Sequence, residues 1–258
     1  ARHEKLGTVV ALKVLIAGEH ASPEAIVRFH REATSIARMG KHPNIVTIHD
    51  LGEEGNLAYY AMELIEGKSL RQVLRERTVD PREAAGLVEK SARALHFAHA
   101  HGIIHRDVKP ENIVVRLDGE PQVMDFGLAR DASTSSAQAL SQDGQVLGTL
   151  AYMSPEQAGG EPEKTDARSD IYALGGVLYE LLTGIAPHPA GTILQVLPAI
   201  LMGDIIPPRR IRTGVPRDLE TICLKCLRVD RRDRYATAEE RADDLARWQR
   251  GEPIHARP

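Results

Sequence analysis

Apolar residues follow two different spacings along this chain, and the switch between them divides it. Residues 8–16 form a β-branched run that predicts a buried strand with Lys13 embedded in it. Ser22, Pro23 and Glu24 make a helix entry: a capping hydroxyl, a first-turn proline and an acid at the positive end of the helix dipole. Ile26, Phe29, Ala33 and Ile36 then recur at helical spacing, with Glu32 beside that face and Arg28 one turn earlier as its simplest partner. Residues 42–46 end the helix and begin a strand, and residues 57–65 predict another. Asp80 and Pro81 cap a long helix running to about Ala100, with Leu87, Ala94, Leu95 and Ala98 on its apolar face. Residues 113–116 and 122–124 are short strands around Asp118-Gly119, a hairpin signal.

Beyond residue 125 the strand spacing disappears. Residues 169–182 are apolar nearly all round, which predicts a helix buried in the middle of a domain and ended by Gly184. Helical spacing returns at 193–202, 218–227 and 238–250, the last opened by Thr237 and Glu240 as a capping box. Residues 251–258 read as a linker-like tail. A β-rich part followed by a larger helical part, without internal repeats, predicts an α+β fold.

Composition narrows the function classes. The chain has 258 residues, 42% hydrophobic and 27% charged, enough for a sizeable core. A net charge of −3 gives no reason to expect nucleic-acid binding. No stretch approaches a membrane span and no signal-like start is present, so a cytoplasmic location fits. Cys223 and Cys226 lie in a helical apolar pattern and read as core. His96, His99 and His101, with His105 beyond, suggest a metal, but the HxxHxH spacing lacks i,i+4 pairing on one helix face and an interleaved acid. From Leu128 to Val146 the composition turns to Ser, Thr, Ala, Gln and Gly, including Ser133, Thr134, Ser135, Ser136 and Ser141, and reads as a loop.

The chemistry concentrates in His105-Arg106-Asp107-Val108-Lys109-Pro110-Glu111-Asn112 and in Asp125-Phe126-Gly127. Asp107 is a carboxylate able to accept a hydroxyl proton, and Lys109 can neutralise charge on a transferring phosphoryl group. Asn112 and Asp125 offer hard oxygen atoms suited to Mg²⁺. Pro110 turns Lys109 away from helix, and Gly127 frees the backbone beside Asp125. A base, a cation and two metal ligands this close in sequence suit phosphoryl transfer, in which catalysis is mostly positioning and charge stabilisation.

These two motifs resemble the catalytic loop and metal-binding motif of eukaryotic-type (Hanks-type) serine/threonine protein kinases. Residues 148–156 and the ending around Trp248 are most similar to bacterial members. The resemblance covers essentially the whole chain apart from its beginning. It implies a two-lobed kinase fold: residues 1–65 as a partial small β-rich lobe, 66–250 as a larger helical lobe, 251–258 as the tail, and an ATP cleft between lobes. Lys13 would hold the α- and β-phosphates, locked by Glu32. Ala11 and Val114 would sandwich the adenine, Met62 would be gatekeeper, backbone groups of Glu63 and Ile65 would meet the base, and Ser69 would lie near the ribose. Asp107, Lys109 and Asn112 are the implied catalytic residues, with Asn112 and Asp125 holding Mg²⁺, or Mn²⁺ in its place.

The same resemblance makes His105, Phe126 and Gly127 structural and Arg106 a partner for a phosphate on the 128–146 loop, whose hydroxyls become phosphosite candidates. Thr149 would hydrogen-bond near Asp107 and Lys109. Glu156 would pair with Arg234, and Asp170 would hold the backbone of the catalytic loop. Implied partners are proteins bearing Ser or Thr and a second copy for trans-autophosphorylation, with no membrane contact from this segment, although the parent chain can be anchored. One departure stands out: Gly7 is the sole glycine among the twelve residues before Lys13. The glycine-rich loop and first strand are therefore expected to be missing, as in an N-terminally truncated, weakly active piece. A pseudokinase scaffold and a small-molecule phosphotransferase are the rival readings.

Overall fold

The computed structural model describes residues 1–2, 7, 9–15, 23–54, 57–126, 150–188 and 192–257, with the side chains of residues 23–25, 28 and 32 outside that set. Strand β1 (Val10–Leu15) leads to helix α1 (Pro23–Arg38), then β2 (Ile48–Glu54) and β3 (Leu57–Glu63), which pair antiparallel in the order β1-β3-β2. Lys13 stands directly opposite Tyr60 in the β1–β3 register, and Ala11 opposite Met62. Period-two alternation puts Ala58, Tyr60 and Met62 on one buried face of β3. Phe29, Ala33 and Ile36 of α1 are buried against that small lobe, consistent with the helical spacing of its apolar residues.

A second sheet joins β4 (Gly67–Ser69), β5 (Ile113–Arg116) and β6 (Pro121–Val123) in the order β4-β5-β6. Gly67 is demanded by packing, since a Cβ there would lie 2.2 Å from the Val115 carbonyl oxygen. The segment after α1 is stitched to β6, with Val46 N donating to Val123 O at 3.0 Å and Val123 N to Asn44 O at 2.8 Å. The two sheets are thereby tied together beside the hairpin that carries the motifs.

The helical lobe contains α2 (Leu70–Glu76), α3 (Pro81–Ala100), α4 (Pro155–Ala158), α5 (Ala167–Thr183), α6 (Ile193–Met202), α7 (Pro208–Ile211), α8 (Arg217–Cys226) and α9 (Ala238–Gln249). Every residue of α5 from Ser169 to Leu182 is buried. Each fully buried Leu, Ile or Val there contributes about 1.5–3 kcal/mol, so α5 is the main apolar anchor of the lobe. It starts two residues before the apolar run, capped by Asp166 on Arg168 N, and ends at Gly184 with φ +85°. Gly175 lets α8 approach closely, because a Cβ there would meet Cys226 Cβ at 2.6 Å. Cys223 and Cys226 are fully buried in this contact, and burial pushes both thiols above their usual pKa. Among the described residues no helix is long and apolar enough to cross a membrane.

The expected α+β, two-lobed architecture is what forms. Two local expectations need correction. Residues 251–258 were expected to be linker-like, yet buried Asp244 draws the tail in, accepting His255 N at 2.6 Å and Ala256 N at 2.8 Å. A buried carboxylate is costly without donors, and the tail backbone supplies them. The capping box before α9 is also half made: Thr237 Oγ accepts Glu240 N, but the Glu240 carboxylate takes Ala236 N rather than Thr237 N.

Candidate active site

Pro110 cannot donate a backbone N–H, and Lys109 before it is extended at φ −159°, ψ 164°. A 3₁₀ turn, Pro110–Asn112, follows and brings Asn112 back over the start of its own loop. Asn112 Nδ2 donates to Asp107 O at 2.8 Å and to Asp107 Oδ2 at 3.1 Å, and Lys109 Nζ lies 2.8 Å from the same Oδ2. Asp107, Lys109 and Asn112 are therefore one cluster around a single carboxylate. The β5–β6 hairpin then returns the chain so that Met124 N donates to Asn112 O at 2.9 Å, which sets Asp125 beside the loop.

Asp125 meets the small lobe. Its Oδ1 takes Lys13 Nζ at 2.6 Å and the Tyr60 hydroxyl at 3.3 Å. The approach needs an unusual backbone, since Asp125 has φ +60° and Arg106 has φ +65°. Burial first, and then the neighbouring Asp125 charge, raise the Tyr60 phenol well above its usual pKa, so it acts as donor. Glu32 lies in α1, but its side chain is outside the described residues. Gly127, Ser133, Thr134, Ser135, Ser136, Ser141 and Thr149 also lie outside them.

Behind the loop stands Asp170, almost fully buried at the start of α5. It accepts His105 N and Arg106 N, each at 2.8 Å, and contacts His99 Nε2 at 2.8 Å. Burial alone would raise its pKa, but the hydrogen bonds from His99 and from the His105 backbone help bring it below the ordinary aspartate value. His105 is fully buried and its pKa is lowered by that burial. Its Nδ1 accepts Asp107 N at 3.3 Å, so the neutral ring carries its proton on Nε2, 3.0 Å from Met124 O. Phe126 packs on the same ring at 4.5 Å.

Glu156 and Arg234 form a bidentate pair with both contacts at 2.8 Å, and Ser169 Oγ donates to Glu156 Oε1 at 2.6 Å. The remaining Arg234 donors reach Arg228 O, Arg168 O and Val229 O, so this buried guanidinium is fully satisfied.

The protein kinase domain family matches residues 1–244. This chain belongs to that family. The kinase domain is 41% identical to serine/threonine-protein kinase PknB of Mycobacterium tuberculosis, over 99% of this chain and 41% of the relative. It is 41% identical to PknB of Mycolicibacterium smegmatis, over 98% of this chain and 40% of the relative. A Clostridium perfringens protein named "probable serine/threonine-protein kinase" is 39% identical over 95% of this chain and 35% of its own length. The chain thus spans about two-fifths of the length of the curated relatives it matches.

The other expected nucleotide-facing positions differ in exposure. Met62 is buried, while Ala11, Glu63, Ile65 and Val114 are half-buried. Glu63 N is committed to Thr47 O at 2.9 Å, and its carboxylate meets Arg116 at 3.2 Å. Ser69 caps α2: its Oγ accepts Gln72 N, and Gln72 Oε1 accepts Ser69 N. A serine followed three residues later by Gln was the available signal for that box.

Sequence reasoning passed over several residues that hold the site. Gln157 Nε2 donates to Arg106 O at 3.0 Å. Arg71 reaches from α2 to Glu111 of the catalytic loop at 2.7 Å, to Glu180 of α5 at 2.5 Å and to the Tyr152 hydroxyl at 2.6 Å. The side chains of the histidines grouped in sequence take different partners: His99 serves Asp170, His101 Nδ1 lies against Phe97 O, and His96 faces Glu239. Tyr60 had no legible signal, because only the strand register puts it opposite Lys13.

Proposed function

We propose that this chain carries the phosphoryl-transfer core of a protein serine/threonine kinase, moving the γ-phosphate of ATP to a Ser or Thr hydroxyl. The observation that carries this reading is the cluster on Asp107 Oδ2, held by Lys109 and Asn112, with Lys13 gathered on Asp125 across the junction of the sheets. The names of the relatives, serine/threonine-protein kinases, support the same substrate class.

Asp107 accepts a hydrogen bond from the incoming hydroxyl and takes its proton as the new oxygen–phosphorus bond forms and ADP departs. Lys109, beside it, offsets negative charge on the transferring group. Lys13 leaves Asp125 for the phosphate oxygens of the nucleotide. The donor set fits a hard divalent cation: Asn112 spends Nδ2 on Asp107 and keeps Oδ1 as a neutral ligand, and Asp125 adds a carboxylate. Mg²⁺ held by Asn112 and Asp125 would neutralise phosphate charge and orient the chain of phosphates. Glu32 is assigned to position Lys13. Ala11, Met62, Glu63, Ile65 and Val114 are assigned to the adenine.

Regulation by phosphorylation of Ser133, Thr134, Ser135, Ser136 or Ser141 belongs to the same proposal, with Arg106 as the cationic partner and a second copy as the phosphorylating enzyme. A cytoplasmic site follows from the need for ATP and Mg²⁺. The pseudokinase alternative is disfavoured by retention of Lys13, Asp107, Lys109, Asn112 and Asp125 together. Mass spectrometry of the full-length protein incubated with ATP and Mg²⁺ tests the reading. Phosphate on Ser or Thr in the wild type, and none in Asp107→Asn, is the expected result. Equal phosphorylation of both proteins would refute it.

A further inference from the structure

Tyr60 has no part in the chemistry described above, yet it touches the carboxylate at the centre of it. The ring is 2% exposed and packs on Phe29 of α1 with centroids 5.4 Å apart. Register alone puts it opposite Lys13, whose ammonium stands 6.0 Å from the ring centroid. Both side chains converge on one atom: Lys13 Nζ at 2.6 Å and the Tyr60 hydroxyl at 3.3 Å from Asp125 Oδ1. Neither bond falls on Oδ2. Asp125 also sits at φ +60°, a backbone state that L-residues resist and that contacts must hold.

We propose that Tyr60 is a positioning residue for Asp125, resting on the assignment of Asp125 as a cation ligand. A lysine that serves the phosphates cannot keep its full charge on Asp125. The phenol is the tie that stays when Lys13 moves, holding the carboxylate in one rotamer with Oδ2 clear of both tethers. A phenylalanine would fill the same space and keep the contact with Phe29. The hydroxyl is therefore separable from the packing, which makes its role testable.

The experiment compares wild type, Tyr60→Phe and Asp125→Ala in the full-length protein. Binding of a non-hydrolysable ATP analogue is measured by calorimetry with and without Mg²⁺, alongside the Mg²⁺ dependence of turnover and the melting temperature. Loss of one hydrogen bond to a charged acceptor should cut the Mg²⁺-dependent gain in affinity about tenfold or more in Tyr60→Phe. Metal-free affinity should be unchanged, and saturating Mg²⁺ should restore kcat. Wild-type Mg²⁺ dependence in Tyr60→Phe overturns the proposal. Parallel loss of melting temperature and metal-free affinity also overturns it, since that marks a purely structural residue. If Asp125→Ala keeps the wild-type Mg²⁺ dependence, the assignment of Asp125 itself fails, and this outcome is distinguishable from failure of the Tyr60 step.

Discussion

The Asp170 carboxylate accepts the backbone N–H of Arg106 at 2.8 Å across 64 residues of sequence. Arg106 sits at φ +65°, a conformation that costs an L-residue about 1–2 kcal/mol. The same carboxylate holds His105 N, so the buried helix α5 fixes the two residues before Asp107. The geometry of the 105–112 loop is thus set by an aspartate that is itself 1% exposed.

Removing that aspartate strands buried donors. Asp170→Ala leaves His105 N, Arg106 N and His99 Nε2 without their acceptor and should cost about 3–5 kcal/mol of stability. Asp170→Asn keeps an acceptor oxygen and should cost less. Chemical denaturation reads both. An Ala variant as stable as wild type would show that the loop holds its shape unaided.

Glu156 and Arg234 predict acid sensitivity. Burial raises the Glu156 pKa, but hydrogen bonds and charge from Arg234 outweigh it and leave the carboxyl below its usual value. The unfolded chain therefore takes up a proton more readily than the folded one. This contribution is complete above the ordinary glutamate pKa of about 4.3 and is lost as pH falls through the lower folded value. Arg234→Ala should destabilise by about 3–5 kcal/mol at neutral pH, because it leaves Glu156 buried and unpaired. Urea titrations at several pH values check both points.

His188 predicts a second pH effect, at higher pH. It is 2% exposed, lies 3.0 Å from the Tyr172 hydroxyl, and burial lowers its pKa to about 4. Folded protein keeps the ring neutral while the unfolded chain protonates near pH 6.5. Stability from this residue is full above about 6.5 and declines down to about 4, by on the order of 3 kcal/mol. A His188→Gln variant should flatten the melting-temperature profile between those values. An unchanged slope would remove His188 as the cause.

For the chemistry, Asp107→Asn should lower turnover by about 10²–10⁴-fold or more while nucleotide affinity stays close to wild type. Lys13→Met should raise KM for ATP as well, because it removes a phosphate contact. Steady-state kinetics with a protein substrate and direct nucleotide titration separate the two. Normal turnover in Asp107→Asn would exclude it as the base.

Sequence spacing carried much of this. The long helix Pro81–Ala100, the buried helix around residues 169–182 and the hairpin of β5 and β6 all follow from local periodicity and turn chemistry. The motif residues Asp107, Lys109 and Asn112 cluster because a proline and a 3₁₀ turn act over six residues of chain. Such short-range geometry is written in residue order.

What order could not specify is who meets whom across the fold. Lys13 and Asp125 are 112 residues apart, and Arg71 joins Glu111, Glu180 and Tyr152 from three other segments. Tyr60 reaches Asp125 only through strand register, and the tail is drawn in by Asp244 as well as by the burial of Ala256. Local sequence determined the helices, turns and motif clusters, since nearby dihedrals decide them. Tertiary packing alone decided the long-range polar partners, because a buried charge accepts whichever donor the folded chain delivers to it.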